Sequence, residues 1–181
     1  MQRTEDGRLL VSTDSNILIN FIKIGRLDLL RQLRNYAFRI PEEVYQEISY
    51  PDQRAELDRA LEEGWTEKFQ ITALDEISAY AQYRRQMDDG EAACLAVSVS
   101  RRWIIACDEQ KKRVIHREVR NKLGTGYLLN TPGILVKAIR EGHLTVEEAD
   151  QIKEDLAHNR FVMNIASFRE LLETDSEQDK K

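Results

Sequence analysis

The sequence holds little of what staples or anchors many proteins. It has only two cysteines in 181 residues, Cys94 and Cys107, and neither sits in a CxxC pair or beside a histidine cluster. That excludes a disulfide framework and a thiolate zinc site. The three histidines, His116, His143 and His158, are scattered, and no HExxH motif occurs, which speaks against zinc hydrolysis. Neither GxGxxG nor GxxxxGK[ST] is present, so dinucleotide and P-loop readings fail. No stretch approaches the ~20 apolar residues of a membrane span. The opening MQRTEDGR has no apolar core of a secretory signal, so a cytoplasmic chain is expected. There is also no excess of positive charge: 27 Lys and Arg stand against 32 Asp and Glu, a net of -5. Such a chain does not coat nucleic acid by bulk charge. It can still cut nucleic acid if its carboxylates cluster.

What is present is a series of short apolar runs alternating with helical patterns. Strands are predicted at Leu9–Thr13, Ala37–Ile40, Phe69–Thr72, Trp103–Cys107 and Tyr127–Leu129. Between them, Ile17, Leu18, Phe21 and Ile22 have helical spacing, Pro41 opens a helix carrying Val44 and Ile48, and residues 54–63 and 75–87 form two more. Ala92–Val97 is apolar on every side, which implies a buried helix. A basic helix follows Asp108 to about Lys122, and further helices are expected at 132–142, 146–158 and 167–173. Alternation of this kind gives an α/β fold, a mainly parallel sheet of about five strands sandwiched by helices, with a helical C-terminal extension. The expected organisation is a core domain over 9–131, helices 132–173 packed on the same domain, and a disordered tail over 174–181.

In such a sheet function gathers beyond the carboxyl ends of the strands. Asp14 ends the first strand and Asp108 the fourth, so the two face one crevice if those strands are neighbours. A helix N-cap is the plainer role for each taken singly. Glu91 opens the apolar helix after Asp88 and Asp89, which already offer charge to its dipole. Glu47 lies on a helix three residues after Val44 and beside Ile48; alone it reads as solvated. Carboxylates drawn together repel, and a shared hard cation such as Mg²⁺ or Mn²⁺ relieves them. Receiver domains and haloacid-type phosphatases also place acids at strand ends. A receiver would want a Lys after the last strand, where Asn130-Thr131-Pro132 stands, and the phosphatase DxD is absent because Asp14 is followed by Ser15-Asn16.

Four segments carry a resemblance: Val11–Ile19 with Asp14, Ile40–Ile48 with Glu47, Asp88–Ala96 with Glu91, and Ile104–Glu109 with Asp108. In this order they resemble a PIN domain, the metal-dependent ribonuclease fold of VapC-type toxins. Gly133–Ala138 and the helices after it resemble a subgroup with extra C-terminal helices. Relatives often have Asp-Asp and then a Gly-Arg pair, whereas this chain reads Asp108-Glu109-Gln110-Lys111-Lys112-Arg113. The resemblance implies that Asp14, Glu47, Glu91 and Asp108 are catalytic and hold Mg²⁺ or Mn²⁺. It further implies hydrolysis of RNA to 5′-phosphate and 3′-hydroxyl ends, an antitoxin partner and homodimerisation. The alternative is a non-catalytic module on the same fold that binds RNA or a protein. Asn16 can hydrogen-bond a ligand carboxylate or water, or cap its helix. Thr131 can contact phosphate or cap the helix it precedes.

RNA needs cations near the acids. Arg113, Arg117 and Arg120 share one face of the basic helix, opposite Ile115, Val119 and Leu123. That face either flanks the crevice and guides a phosphate backbone or is merely solvated. Trp65 and Trp103 can stack bases, but core packing is the reading taken, and both cysteines are expected to be buried thiols.

Overall fold

A computed structural model describes residues 1–108 and 113–178 of the chain. In order along the chain it contains β1 (Leu9–Thr13), α1 (Ser15–Lys23), α2 (Asp28–Gln32), β2 (Tyr36–Pro41), α3 (Glu42–Glu47) and α4 (Pro51–Glu62). These are followed by β3 (Glu67–Phe69), α5 (Leu74–Tyr83), α6 (Asp89–Arg101) and β4 (Ile104–Ala106). The remainder is α7 (Arg113–Lys122), β5 (Leu128–Leu129), α8 (Thr131–Arg140), α9 (Val146–His158) and α10 (Phe168–Gln178).

The five strands form one sheet in the order β3-β2-β1-β4-β5, and every pair is parallel. A parallel sheet is covered on both faces, which is why its strands are continuous apolar runs rather than alternating ones. Val11, Ile105 and Ala106 are fully buried, as are Ala37 and Ile40. The chain steps outward from β1 to β2 to β3, then returns to the other side of β1 for β4 and β5. Right-handed crossovers then put α1, α2 and α4 on one face and α5 to α7 on the other, while the short α3 lies at the carboxyl edge of the sheet and reaches α6. The packing follows: α1 lies against α3 and α4, and α6 lies against β1, β2 and β4 with α5 and α7 beside it. The reversal between β1 and β4 is the switch point at which crevices open in such sheets.

The helix expected to be buried is α6, in which every residue from Gly90 to Ser98 is buried. Its small side chains, Ala92, Ala93 and Ala96, let the helix come down close on the sheet. The C-terminal helices extend the same core, since α8 packs on α2, α9 and α10, and Phe168 is fully buried. The helix α10 runs to Gln178, past residue 173, where the sequence suggested a tail. Both cysteines are buried, and no disulfide joins them. Trp103 is 7% exposed and meets Phe69 edge to face at 5.3 Å, so it serves the core.

One strand differs from expectation. The third was placed at 69–72 from its apolar residues, but β3 covers Glu67–Phe69. Backbone pairing decides here: Arg39, Ile40 and Pro41 pair with Glu67, Lys68 and Phe69, and Arg39 bonds Glu67 across the strands at 3.1 Å. Phe69 and Ile71 still pack on Leu10, Ala37, Val97 and Trp103.

A buried charge ties α5 to α6. Glu76 is 2% exposed, and its carboxylate takes a two-pronged contact from Arg101 at 2.5 and 2.8 Å. Removing one partner of such a pair strands the other. Arg101→Ala is expected to lower unfolding free energy by about 2–4 kcal/mol in urea titration, with Arg101→Leu/Glu76→Leu recovering much of the loss. A loss below about 0.5 kcal/mol in the single variant would mean the pair is only surface charge.

Candidate functional site

Asp14 ends β1 at the switch point. Its backbone N–H bonds Ala106 O at 2.9 Å, which continues the ladder and sets the residue beside the end of β4. It occupies the N-cap position of α1, yet its side chain makes no capping bond. The carboxylate is instead turned inward, with Asp14 only 1% exposed. Asn16 donates to Oδ2 at 3.2 Å, and Oδ1 is buried with no hydrogen-bond partner among the described residues.

Glu91 lies in the first turn of α6 and is 1% exposed. Asp88 is the true N-cap, accepting from Glu91 N at 3.2 Å, and Asp89 is drawn outward by Arg84 at 2.6 Å. With capping and charge balance met by its neighbours, Glu91 is left to face the core.

Glu47 is the last residue of α3, and its Oε1 accepts from Gly90 N at 2.6 Å. The positive end of the α6 dipole therefore holds it. This contact needs glycine: a Cβ on residue 90 would lie 2.6 to 2.8 Å from the Glu47 carboxyl atoms. Sequence reading singled out Glu47 but not its dependence on Gly90, which is visible only once α3 and α6 are packed.

Together these groups define a pocket of one sign. The Asp14 carboxyl is pushed up to about 7 from 3.8, chiefly by burial, then by the charges of Glu91 and Glu47, with Asp88 adding to them. The neighbouring Cys94 thiol is driven well up by its own burial and by the Asp14 charge, which makes it inert as a nucleophile.

Asp108 stands apart from this charge cluster, just past β4. Its Oδ1 accepts from Thr131 N at 2.7 Å, and its Oδ2 accepts from Thr131 Oγ1 at 2.5 Å and Asn20 Nδ2 at 2.8 Å. Burial raises its carboxyl, while the bonds from Thr131 and Asn20 oppose the rise. Thr131 is thus not the cap of α8; Asn130 is, accepting from Gly133 N at 2.9 Å. Asn20 was missed, although the signal existed: Asn16, Asn20 and Lys23 recur at four and three residues along one face of α1. A recess beside Asp108 is lined by that polar face and by Asn159, Arg160 and Phe161 from the turn after α9.

The basic helix is oriented away from this edge. It leaves the carboxyl end of β4 and returns to the start of β5, so Arg117 and Arg120 lie roughly 6 and 10 Å further along its axis than residue 113. They line a separate recess with Gly124, Thr125 and Gly126, the turn that precedes β5. Glu109 and the Arg113 side chain lie outside the described residues. Among those described, no set of three or more Asp, Glu, His or Cys side chains is arranged to hold a metal ion as it stands.

The sequence from residue 10 to 177 matches the family model DUF3368, a PIN domain. The chain belongs to the PIN-domain family. Nothing among the curated proteins matches it. PIN domains are generally nucleases and typically use divalent metal ions, and the fold suggests nucleic-acid binding. No helix among the described residues of this PIN domain is long and apolar enough to cross a membrane.

Two predictions follow from the geometry of the acidic pocket. The first concerns pH. Below about 3.8 Asp14 is protonated both folded and unfolded, and contributes nothing. Between 3.8 and about 7 the unfolded chain ionises first, so this group destabilises the metal-free fold increasingly, up to about 4 kcal/mol above pH 7. Asp14→Asn should therefore raise the Tm by several degrees at pH 8 in EDTA and by little near pH 4; an unchanged or lower Tm at pH 8 contradicts the assignment. The second concerns Gly90. Gly90→Ala should displace the flexible end of Glu47, keep the fold, and weaken Mn²⁺ binding about tenfold or more in calorimetric titration.

Proposed function

We propose that the protein is a Mg²⁺- or Mn²⁺-dependent endoribonuclease, hydrolysing RNA phosphodiesters at the crevice beyond β1 and β4. The observation that carries this reading is the Asp14 carboxylate, buried, with one oxygen unpartnered among the described residues, and pressed by Glu91 and Glu47. A protein gains nothing in stability from such an arrangement, whereas a hard cation that takes oxygen ligands relieves all three charges at once. The donor set fits such an ion: it is all carboxylate oxygen, with no thiolate or imidazole. Asp14, Glu47 and Glu91 would hold it, with Asp108 on the neighbouring strand end.

The chemistry a divalent cation supplies in such a site is a lowered pKa for water and neutralisation of phosphoryl charge. The residues of the chain position that chemistry. Asn16 fixes one oxygen of Asp14, Gly90 N–H fixes Glu47, and Asn20 with Thr131 fixes Asp108. These bonds hold the carboxylates in single orientations, so little reorganisation is left for the reaction. Asp14 must also give up its proton before it can act as a ligand, which links metal affinity to pH.

One observation favours a second reading, a non-catalytic module binding RNA or a protein. Both oxygens of Asp108 are already engaged within the chain. The narrower toxin reading, with an antitoxin masking the crevice and a homodimeric chain, rests on the likeness to VapC-type proteins alone.

Single-stranded and structured RNA should be cleaved in Mn²⁺ but not in EDTA. Asp14→Asn and Glu91→Gln should each lose at least about 100-fold in rate, since even groups that only support metal ligands cost 10–100-fold. Equal rates in wild type and both variants exclude carboxylate-metal catalysis, and RNA binding without cleavage supports the second reading.

A further inference from the structure

The turn that closes α9 holds an arginine where the fold asks for glycine. Arg160 has φ 69°, in the left-handed region that side chains with a Cβ avoid. It sits in a helix-ending motif in which Phe161 N bonds Leu156 O at 2.9 Å and Arg160 N bonds Ala157 O at 3.0 Å. The same motif ends α8, with His143 N to Ala138 O at 2.9 Å and Gly142 N to Ile139 O at 3.0 Å, and there the residue is Gly142 at φ 75°. The other left-handed arginine, Arg102 at φ 56°, has a use within the chain, because its guanidinium bonds the Tyr127 hydroxyl at 3.2 Å and lies over the Tyr127 ring. Arg160 is exposed and has no such partner among the described residues. Its place is the wall of the recess beside Asp108, together with Lys23, which is also exposed and makes no ion pair among the described residues.

We infer that this recess binds a backbone phosphate of single-stranded nucleic acid adjacent to the carboxylate pocket, with Lys23 and Arg160 as its cations. This rests on the nuclease reading for the presence of nucleic acid. The planar guanidinium can take two phosphoryl oxygens and the ammonium supplies a point charge, while the Asn159 amide, which gives one hydrogen to Asp155 O at 2.9 Å, keeps a second in the same recess. Asp108 on the same wall repels an anion, so the two cations decide whether phosphate can enter beside it. The phosphate path then runs across the α1 and α9 side of the crevice. It does not follow Arg117 and Arg120, which line the recess at the far edge. The C-terminal helices thereby acquire a role in substrate binding through a single turn.

The test uses the full chain, a labelled single-stranded RNA and fluorescence anisotropy over a range of salt, with Ca²⁺ in place of Mn²⁺, and cleavage in Mn²⁺ measured in parallel. Arg160→Gly removes the cation and relieves the backbone, so its Tm should equal or exceed that of wild type while binding weakens several-fold. Its salt slope should fall by about 0.7, the value of one lost phosphate contact on a single strand. Lys23→Gln should do the same to binding and slope, and Arg117→Ala/Arg120→Ala should leave both unchanged. Wild-type binding and slope in Arg160→Gly and Lys23→Gln overturn the proposal. So does a lowered Tm in Arg160→Gly, or a slope carried by Arg117 and Arg120. If wild type binds as described yet cleaves nothing, the nuclease reading fails and the phosphate site stands. If it cleaves while both variants bind and cleave normally, the nuclease reading stands and the phosphate site fails.

Discussion

A carboxylate inside an apolar core is costly unless it is neutral or has a counter-charge, and this fold puts Asp14 under that constraint. One of its oxygens is bonded by Asn16, the other by nothing among the described residues, and the charges that act on it most are those of Glu91 and Glu47. Without a cation the cheapest state is the protonated one, which is what a pKa near 7 expresses. The rest of the site can be understood as the machinery that makes this unfavourable position persist.

That machinery is built from ordinary parts. The parallel order β2-β1-β4 opens a crevice beside Asp14 at the switch point. Asp88 caps α6 and Arg84 draws Asp89 outward, so Glu91 need do neither. Gly90 lets the Glu47 carboxylate approach the start of α6 as closely as a backbone N–H allows. Asp108 is secured from two elements, α1 through Asn20 and α8 through Thr131, so the C-terminal helices begin at the site rather than beyond it.

Much of this was legible in the chain. Apolar runs that stop at Asp14 and Asp108 marked the strand ends, because a strand buried on both faces shows as an unbroken hydrophobic segment. The helix after Gly90, apolar all round, announced its own burial. Legibility failed where the deciding contact lies between elements distant in sequence. The grip of Gly90 on Glu47 spans 43 residues and that of Asn20 on Asp108 spans 88. The edge strand β3 is fixed by pairing with β2, which its own apolar residues do not report. A helical wheel grouped Arg117 with Arg120, but periodicity gives a face and not a direction, and the topology carries that face toward the start of β5. Arg160 gave no sequence signal at all, since its interest depends on a backbone angle.

The central claim is that burial, with the charges of Glu91 and Glu47, makes Asp14 keep its proton up to about pH 7, and that it must release that proton when a divalent ion binds. Calorimetric titration of the metal-free protein with Mn²⁺ at pH 6, in buffers of different ionisation enthalpy, counts protons released per ion bound. The account predicts saturable binding with close to one proton released at pH 6, falling toward zero by pH 8.5. Saturable binding with no proton release, or no binding at all, would contradict it.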